Sequence, residues 1–222
     1  MDGSQKLLID IEGQNGVMGY GTLSYYTKSK VEVVLSGKNI VPVSENERNL
    51  NIYKLLENNC NVIFCTTEKL DDFQFYPVPC FWIFAVDDEG NSFGTIGGIG
   101  DITDDDYPVG YVNQEGMCGK IADNLKEFLE LITFYPNWRE IIRYEQIQIN
   151  YDRNDMEMKQ KEYDLQYFEN QREIAETLKL SKNPQSIELL ISNIKSISGF
   201  VVYSSKNEAQ MTNTFWDMHS LD

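Results

Sequence analysis

Four groups of side chains in this sequence could do chemistry. The first is the aspartate run Asp101, Asp104, Asp105 and Asp106. Carboxylate oxygens suit calcium or magnesium, but the spacing departs from the EF-hand loop, which sets acids at alternate positions before a glycine and a distant Glu. Glycosidase carboxylates normally come from separate elements around a cleft, whereas these crowd one loop. The second group is Gly94, Gly97, Gly98 and Gly100. It lacks both the Gly-Lys-Ser/Thr ending and the Gly-x-Gly-x-x-Gly spacing of phosphate-binding loops. The acids that follow would repel phosphate, so these glycines are expected to end strands and form turns. The third group is Cys60, Cys65, Cys80 and Cys118. No Cys-x-x-Cys pair occurs and no histidine lies nearby, which argues against zinc. Cys80 sits in an apolar run and is expected in the core. The fourth is His219, the single histidine, close to the end of the sequence. A histidine-based triad or general base is not expected there. The reading is a non-enzyme without metal or cofactor, and a metal-assisted hydrolase is the least favoured alternative.

Charge is the more informative property. Thirty-five Asp and Glu face 19 Lys and Arg, a net charge of −16. Such a chain repels phosphate backbones and anionic membranes, so neither nucleic acid nor membrane is an expected partner. A basic protein is the natural complement. Residues 70–119 contain no Lys or Arg but ten acids: Asp71, Asp72, Asp87, Asp88, Glu89, Asp101, Asp104, Asp105, Asp106 and Glu115. Self-repulsion disfavours such concentration, so mere solubility would be better served by dispersal. Phe73, Phe75, Tyr76, Tyr107 and Tyr111 interleave with these acids, as at a protein interface. Asp87, Asp88, Glu89, Asp101, Asp104, Asp105, Asp106 and Tyr107 are the expected partner-binding residues.

The elements that must position them can be read from pattern. Residues 6–11 and 19–35 read as strands, with turns at 13–16 and 36–39. Ser44 and Glu47 fit a capping box, predicting a helix over 45–57 with Leu50, Tyr53, Leu55 and Leu56 as apolar positions. A short buried strand is expected at 61–67. The run Cys80 to Val86 predicts a strand covered on both faces, followed by the turn Asp87 to Asn91 and a return strand over 92–96. Pro108 to Asn113 reads as another strand, placed at an edge because of its proline.

Asp123 or Asn124 caps a helix with Leu125, Phe128, Leu129 and Ile132 on one face. Tyr135-Pro136 ends or kinks it, and residues 138–149 continue with mixed aromatic and aliphatic side chains. From Asp152 the composition shifts. Met156 to Leu180 reads as a long exposed helix with a stripe of Leu165, Phe168, Ala175 and Leu178. Asn183 and Pro184 open a further helix carrying Ile187, Leu190, Ile191 and Ile194, closed by Gly199. A strand is expected over 200–203. No basic segment followed by an apolar stretch opens the chain, and no apolar run reaches about 20 residues. The expectation is a cytoplasmic protein with reduced thiols.

Two stretches carry a family resemblance. Residues 84–94, from Phe84 through Asp87-Asp88-Glu89-Gly90-Asn91 to Gly94, resemble the SUKH superfamily. So do Pro108-Val109-Gly110-Tyr111-Val112 and the following Ile121 to Leu129. The shared pattern is strand, acidic glycine turn, strand, short strand, then a helix with a Phe-Leu pair, over residues 70 to 135. The superfamily includes bacterial immunity proteins of toxin systems and fungal regulators of cell-wall synthesis. It has no shared catalytic residues.

The expected fold is α+β: a mainly antiparallel sheet with helices packed on one side, as a 1–150 domain, plus a helical extension over 151–222. The favoured function is an immunity protein that binds and neutralises a cognate toxin, a basic nuclease, through its acidic surface. A regulatory or scaffolding module is the alternative.

Overall fold

The computed structural model describes residues 42–66, 75–97, 107–152, 155, 156, 158, 163–196, 200–204 and 215, and within 1–41 the backbone of five short strands. Those strands are β1 (Asp10–Ile11), β2 (Gln14–Asn15), β3 (Met18–Gly19), β4 (Thr22–Tyr26) and β5 (Val31–Leu35). They form an antiparallel β1–β2 pair and a three-stranded β3–β4–β5 sheet; β1, β4 and β5 lie inside the ranges expected for strands, β3 begins one residue early, and β2 occupies the expected turn at 13–16.

The capping box forms as expected. The Ser44 hydroxyl accepts from the Glu47 N–H at 3.2 Å, and the Glu47 carboxylate accepts from the Ser44 N–H at 2.9 Å. The single helix expected over 45–57 is instead two. Helix α1 (Glu45–Arg48) stops at Asn49, and α2 (Asn51–Cys60) restarts with Leu50 as its cap. Leu50 is consequently exposed, whereas Leu55, Leu56 and Cys60 are buried. The α2 end is closed by Asn61 in the left-handed region (φ 53°).

A five-stranded antiparallel sheet organises the rest. Its strands are β6 (Ile63–Phe64), β8 (Phe81–Val86), β9 (Ser92–Ile96), β10 (Val109–Val112) and β11 (Cys118–Ala122), in the order β11-β10-β9-β8-β6. Strand β7 (Phe75–Val78) pairs separately with β12 (Val201–Ser204). The strand expected at 61–67 shortens to two residues, and Cys80 lies just before β8, half-buried.

Strand β10 is not at an edge. It sits between β9 and β11, because β11, which the pattern reading lacked, adds beyond it. Pro108 is tolerated because it precedes the strand and serves the ladder as an acceptor, taking the Ile96 N–H at 2.8 Å. A proline excludes a strand interior only where its missing N–H is needed.

Helices α3 (Leu125–Phe134), α4 (Trp138–Gln146), α5 (Leu165–Leu178) and α6 (Ser186–Lys195) complete the described chain. Asn124 caps α3, its side chain accepting from the Glu127 N–H at 2.8 Å. Tyr135-Pro136 does separate α3 from α4. Asp155, Met156 and Met158 are helical, as expected, but α5 starts separately at Leu165, after the Asp164 cap. Leu165 is exposed, and Ile174 is the residue α5 buries completely. The Asn183 side chain caps a turn, accepting from the Gln185 N–H at 2.9 Å, and α6 follows one residue later.

The sheet is covered on both faces, as the apolar β8 run implied. One face carries Phe84, Phe93, Tyr111 and Ile121 against Phe128, Leu131, Trp138, Ile174 and Leu190 from the helices. The other carries Phe81, Ile83, Ile96, Val112 and Cys118 against Val202 of β12 and Phe200 just before it. A β-bulge between Ile83 and Ala85 lets Phe84 and Ala85 both join the helical face. The chain after residue 151 thus fills both halves of the core with Ile174, Leu190, Phe200 and Val202. Among the described residues, no helix is long and apolar enough to cross a membrane.

Candidate functional site

The acidic turn between β8 and β9 is built around a carboxylate that faces inward. Asp87 is 3% exposed. Its two oxygens accept from the Asn91 N–H and the Asn91 side-chain amide, each at 2.9 Å. The backbone closes the same turn, Asp87 N–H to the Asn91 carbonyl at 3.0 Å and Gly90 N–H to the Asp87 carbonyl at 3.0 Å. Gly90 adopts φ +83°, a left-handed conformation that costs a residue with a Cβ. Burying Asp87 without a cation would be expensive. The cation is Arg139, the second residue of α4, whose Nη2 donates to Asp87 at 3.3 Å.

Arg139 reaches further. The same Nη2 donates to the Asn61 carbonyl at 3.4 Å, at the left-handed end of α2. Its guanidinium lies over the Trp138 ring at 4.5 Å and the Phe93 ring at 5.6 Å. Tyr111 on β10 packs against Trp138 at 5.4 Å and Phe93 at 5.2 Å. Burial, reinforced by the Asp87 charge and opposed by Arg139, pushes the Tyr111 phenol up to about 12. It is therefore a neutral group at ordinary pH.

Asp88 and Glu89, by contrast, point outward. The Asp88 carboxylate accepts from the Asn61 amide, and the Asp88 N–H donates back to Asn61 Oδ1 at 3.1 Å. Next to them stands the β10–β11 turn, held by Asn113 Oδ1, which accepts from Glu115 N–H at 3.1 Å and Met117 N–H at 2.8 Å. The two turns touch: Gln114 N–H donates to Asn91 Oδ1 at 3.2 Å. Asp88, Glu89 and Glu115 therefore form one exposed acidic tip at one end of the sheet.

The remaining expected residues divide. Asp101, Asp104, Asp105 and Asp106 lie outside the described residues. Their flanks, Gly97 and Tyr107, stand at the far end of β9 and the near end of β10. That is the opposite end of the sheet from Asp88, about 14 Å away at the rise of an extended strand. Tyr107 is half-buried there. Among the described residues no group of three or more His, Cys, Asp or Glu side chains could hold a metal ion.

Sequence reading singled out Asp87 as a surface contact, whereas its burial makes it the internal anchor of the tip. Nothing local marks Arg139, a lone arginine at a helix start, or Asn61, an asparagine after a helix, as a turn support. Glu115 was visible as one of the ten acids, but its place beside Asp88 depends on strand pairing.

The class these observations define is an α+β protein with an antiparallel five-stranded sheet and helices packed alongside. No family model matches the chain, and no curated protein and no solved structure matches it.

Proposed function

We propose that this protein binds a basic protein partner through the acidic tip of Asp88, Glu89 and Glu115, and that the partner is a cognate toxin whose activity it neutralises. A nuclease is the toxin class whose cationic groove best matches such a surface. The observation that carries the reading is the Gln114–Asn91 bond, which joins two hairpin turns so that their carboxylates act together. The residues 70–119, free of Lys and Arg, provide no internal cation within that stretch to cancel them. The SUKH-like pattern over residues 70 to 135 supports an immunity role in the cytoplasm. Electrostatic steering would speed capture, which suits an inhibitor that must act before damage accumulates.

The test is a pull-down with the product of the adjacent gene, using the wild-type chain and the D88K/E89K/E115K variant. A complex that weakens with salt and is lost in the variant supports the reading. No complex at low salt for any neighbouring product removes it.

The second reading, a regulatory or scaffolding module, is favoured by one observation: Leu165 and Tyr163 are exposed at the start of α5. Deleting the chain after Asp152 would remove core residues, so L165D is the discriminating variant. Loss of partner binding in L165D with retention in D88K/E89K/E115K favours scaffolding.

A further inference from the structure

A second feature lies at the other end of α4. The C-termini of α4 and α6 border one cleft of about 410 Å³ walled by Tyr144, Glu145, Gln148, Ile149, Tyr151 and Lys195. Gln148 takes a left-handed conformation (φ 53°) that turns the chain back. The Ile149 N–H then donates to the Tyr144 carbonyl at 3.1 Å. Tyr151 returns over Tyr144, their rings stacked with centroids 5.3 Å apart.

Three properties make this cleft a place for a cation. Two helix C-termini each bring partial negative charge. The Glu145 carboxylate adds a full charge and is only 18% exposed. The tyrosine faces attract cations through their π-electrons. In the free chain Lys195 answers that field, its Nζ 2.6 Å from Glu145 Oε2, while the Tyr151 hydroxyl donates to Oε1 at 2.7 Å. Lysine is a point charge. A guanidinium is planar, engages both carboxylate oxygens and stacks on aromatic rings, so it fits this geometry better. Arg139 shows the same chemistry elsewhere on α4, stacked on Trp138.

We propose that this cleft takes an arginine side chain from the partner, its guanidinium displacing the Lys195 ammonium from Glu145 and lying against the Tyr144–Tyr151 pair. Charge complementarity identifies the occupant: a chain of net charge −16 selects a basic protein. Ile149, exposed in the cleft wall, would cover the aliphatic part of the arginine. Glu145 lies six residues beyond Arg139, about 9 Å along the helix axis. This inference rests on the reading that the partner is a basic protein.

The probe is N-acetyl-arginine amide, titrated into the full chain while the backbone amides of Gln148, Ile149 and Asn150 are followed by NMR. Saturable shifts are expected, with none from the uncharged N-acetyl-citrulline amide. E145Q is expected to weaken binding about tenfold through loss of the charge-assisted bonds. K195M, at a partly exposed position that tolerates change, is expected to tighten it several-fold by removing the internal competitor. Equal response to the citrulline probe, or no tightening in K195M, overturns the proposal. Arginine binding here without capture of any neighbouring-gene product would keep the cleft and remove the toxin reading. Capture indifferent to E145Q and K195M would keep the toxin reading and remove the cleft from it.

Discussion

Arg139 and Asp87 are 52 residues apart in sequence and meet at 3.3 Å inside the fold. The contact joins the start of α4 to the β8–β9 turn. Through the Asn61 carbonyl it also ties in the end of α2. The acidic tip is held by this pairing, and its outward carboxylates are displayed on a turn whose own carboxylate is already neutralised.

Removing either partner should be costly. Asp87→Ala removes the one buried carboxylate that Arg139 and the Asn91 amide share, leaving them the Asn61 carbonyl and the Glu89 carboxylate. We expect a loss of about 3 kcal/mol, at the low end for broken buried pairs because Arg139 keeps some solvent contact. The D87N/R139M double variant should lose less than the sum of its single changes, since the two share one interaction. Urea denaturation of the wild type, D87A, D87N, R139M and the double variant measures both quantities.

Stability should fall in alkali. Burial holds the Cys60 thiol at about 12 and the Cys65 thiol at about 11, against an ordinary value of 9.0. Tyr111 stands at about 12 against 10.0. Each folded group keeps its proton after the unfolded chain has lost it. Their contribution is complete below pH 9 and is lost as pH rises through 11 to 12, at about 1.4 kcal/mol per pKa unit. Denaturation midpoints should be level near pH 8 and decline above 9. Tyr111→Phe should flatten the decline above pH 10.

Thiol reactivity should rank by exposure. Cys80 is half-buried, while Cys60, Cys65 and Cys118 are buried. Only the thiolate attacks, and burial suppresses it. A maleimide at pH 7.5 should modify Cys80 first in the native protein. Mass spectrometry of the digested product identifies the site, and first modification elsewhere would contradict the packing described.

Two glycines should respond differently to alanine. A Cβ at Gly94 would stand 2.6 Å from the Trp82 carbonyl oxygen and 2.8 Å from the Phe81 ring. At Gly97, with φ +79°, a Cβ meets nothing within 4 Å. Gly94→Ala should cost about 1–3 kcal/mol through overpacking. Gly97→Ala should cost about 1–2 kcal/mol, the strain of a left-handed alanine alone. Thermal unfolding distinguishes them further, because Phe81→Leu should relieve the ring clash of Gly94→Ala, though not its approach to the Trp82 carbonyl, and none of the Gly97→Ala strain.

Much of this fold was legible because its signals are local. The Ser44–Glu47 capping box, the Asn124 cap and the Tyr135-Pro136 break each act within a few residues, and each appears where pattern placed it. The apolar run over β8 announced a doubly covered strand because only burial on both faces favours seven successive apolar side chains. Helix α5 was less legible. Its Glu- and Lys-rich approach has the composition of a helix, and Asp155, Met156 and Met158 are helical, yet Tyr163 and Asp164 interrupt it before α5 begins at Leu165. Leu165 looked like the start of an apolar stripe, but it falls at the first turn, beyond the surface that Ile174 buries.

What the sequence by itself determined is the α+β class, the two-face burial of β8 and the concentration of acids over residues 70–119. These follow from periodicity, turn residues and charge counts. Tertiary structure decided which of those acids are usable. Strand pairing set Asp88 and Glu89 beside Glu115 and placed the flanks of Asp101 to Asp106 at the opposite end of the sheet. Helix packing brought Arg139 to Asp87 and turned that carboxylate inward. Charge can be counted along a chain, but whether a carboxylate meets solvent or a guanidinium depends on contacts dozens of residues apart.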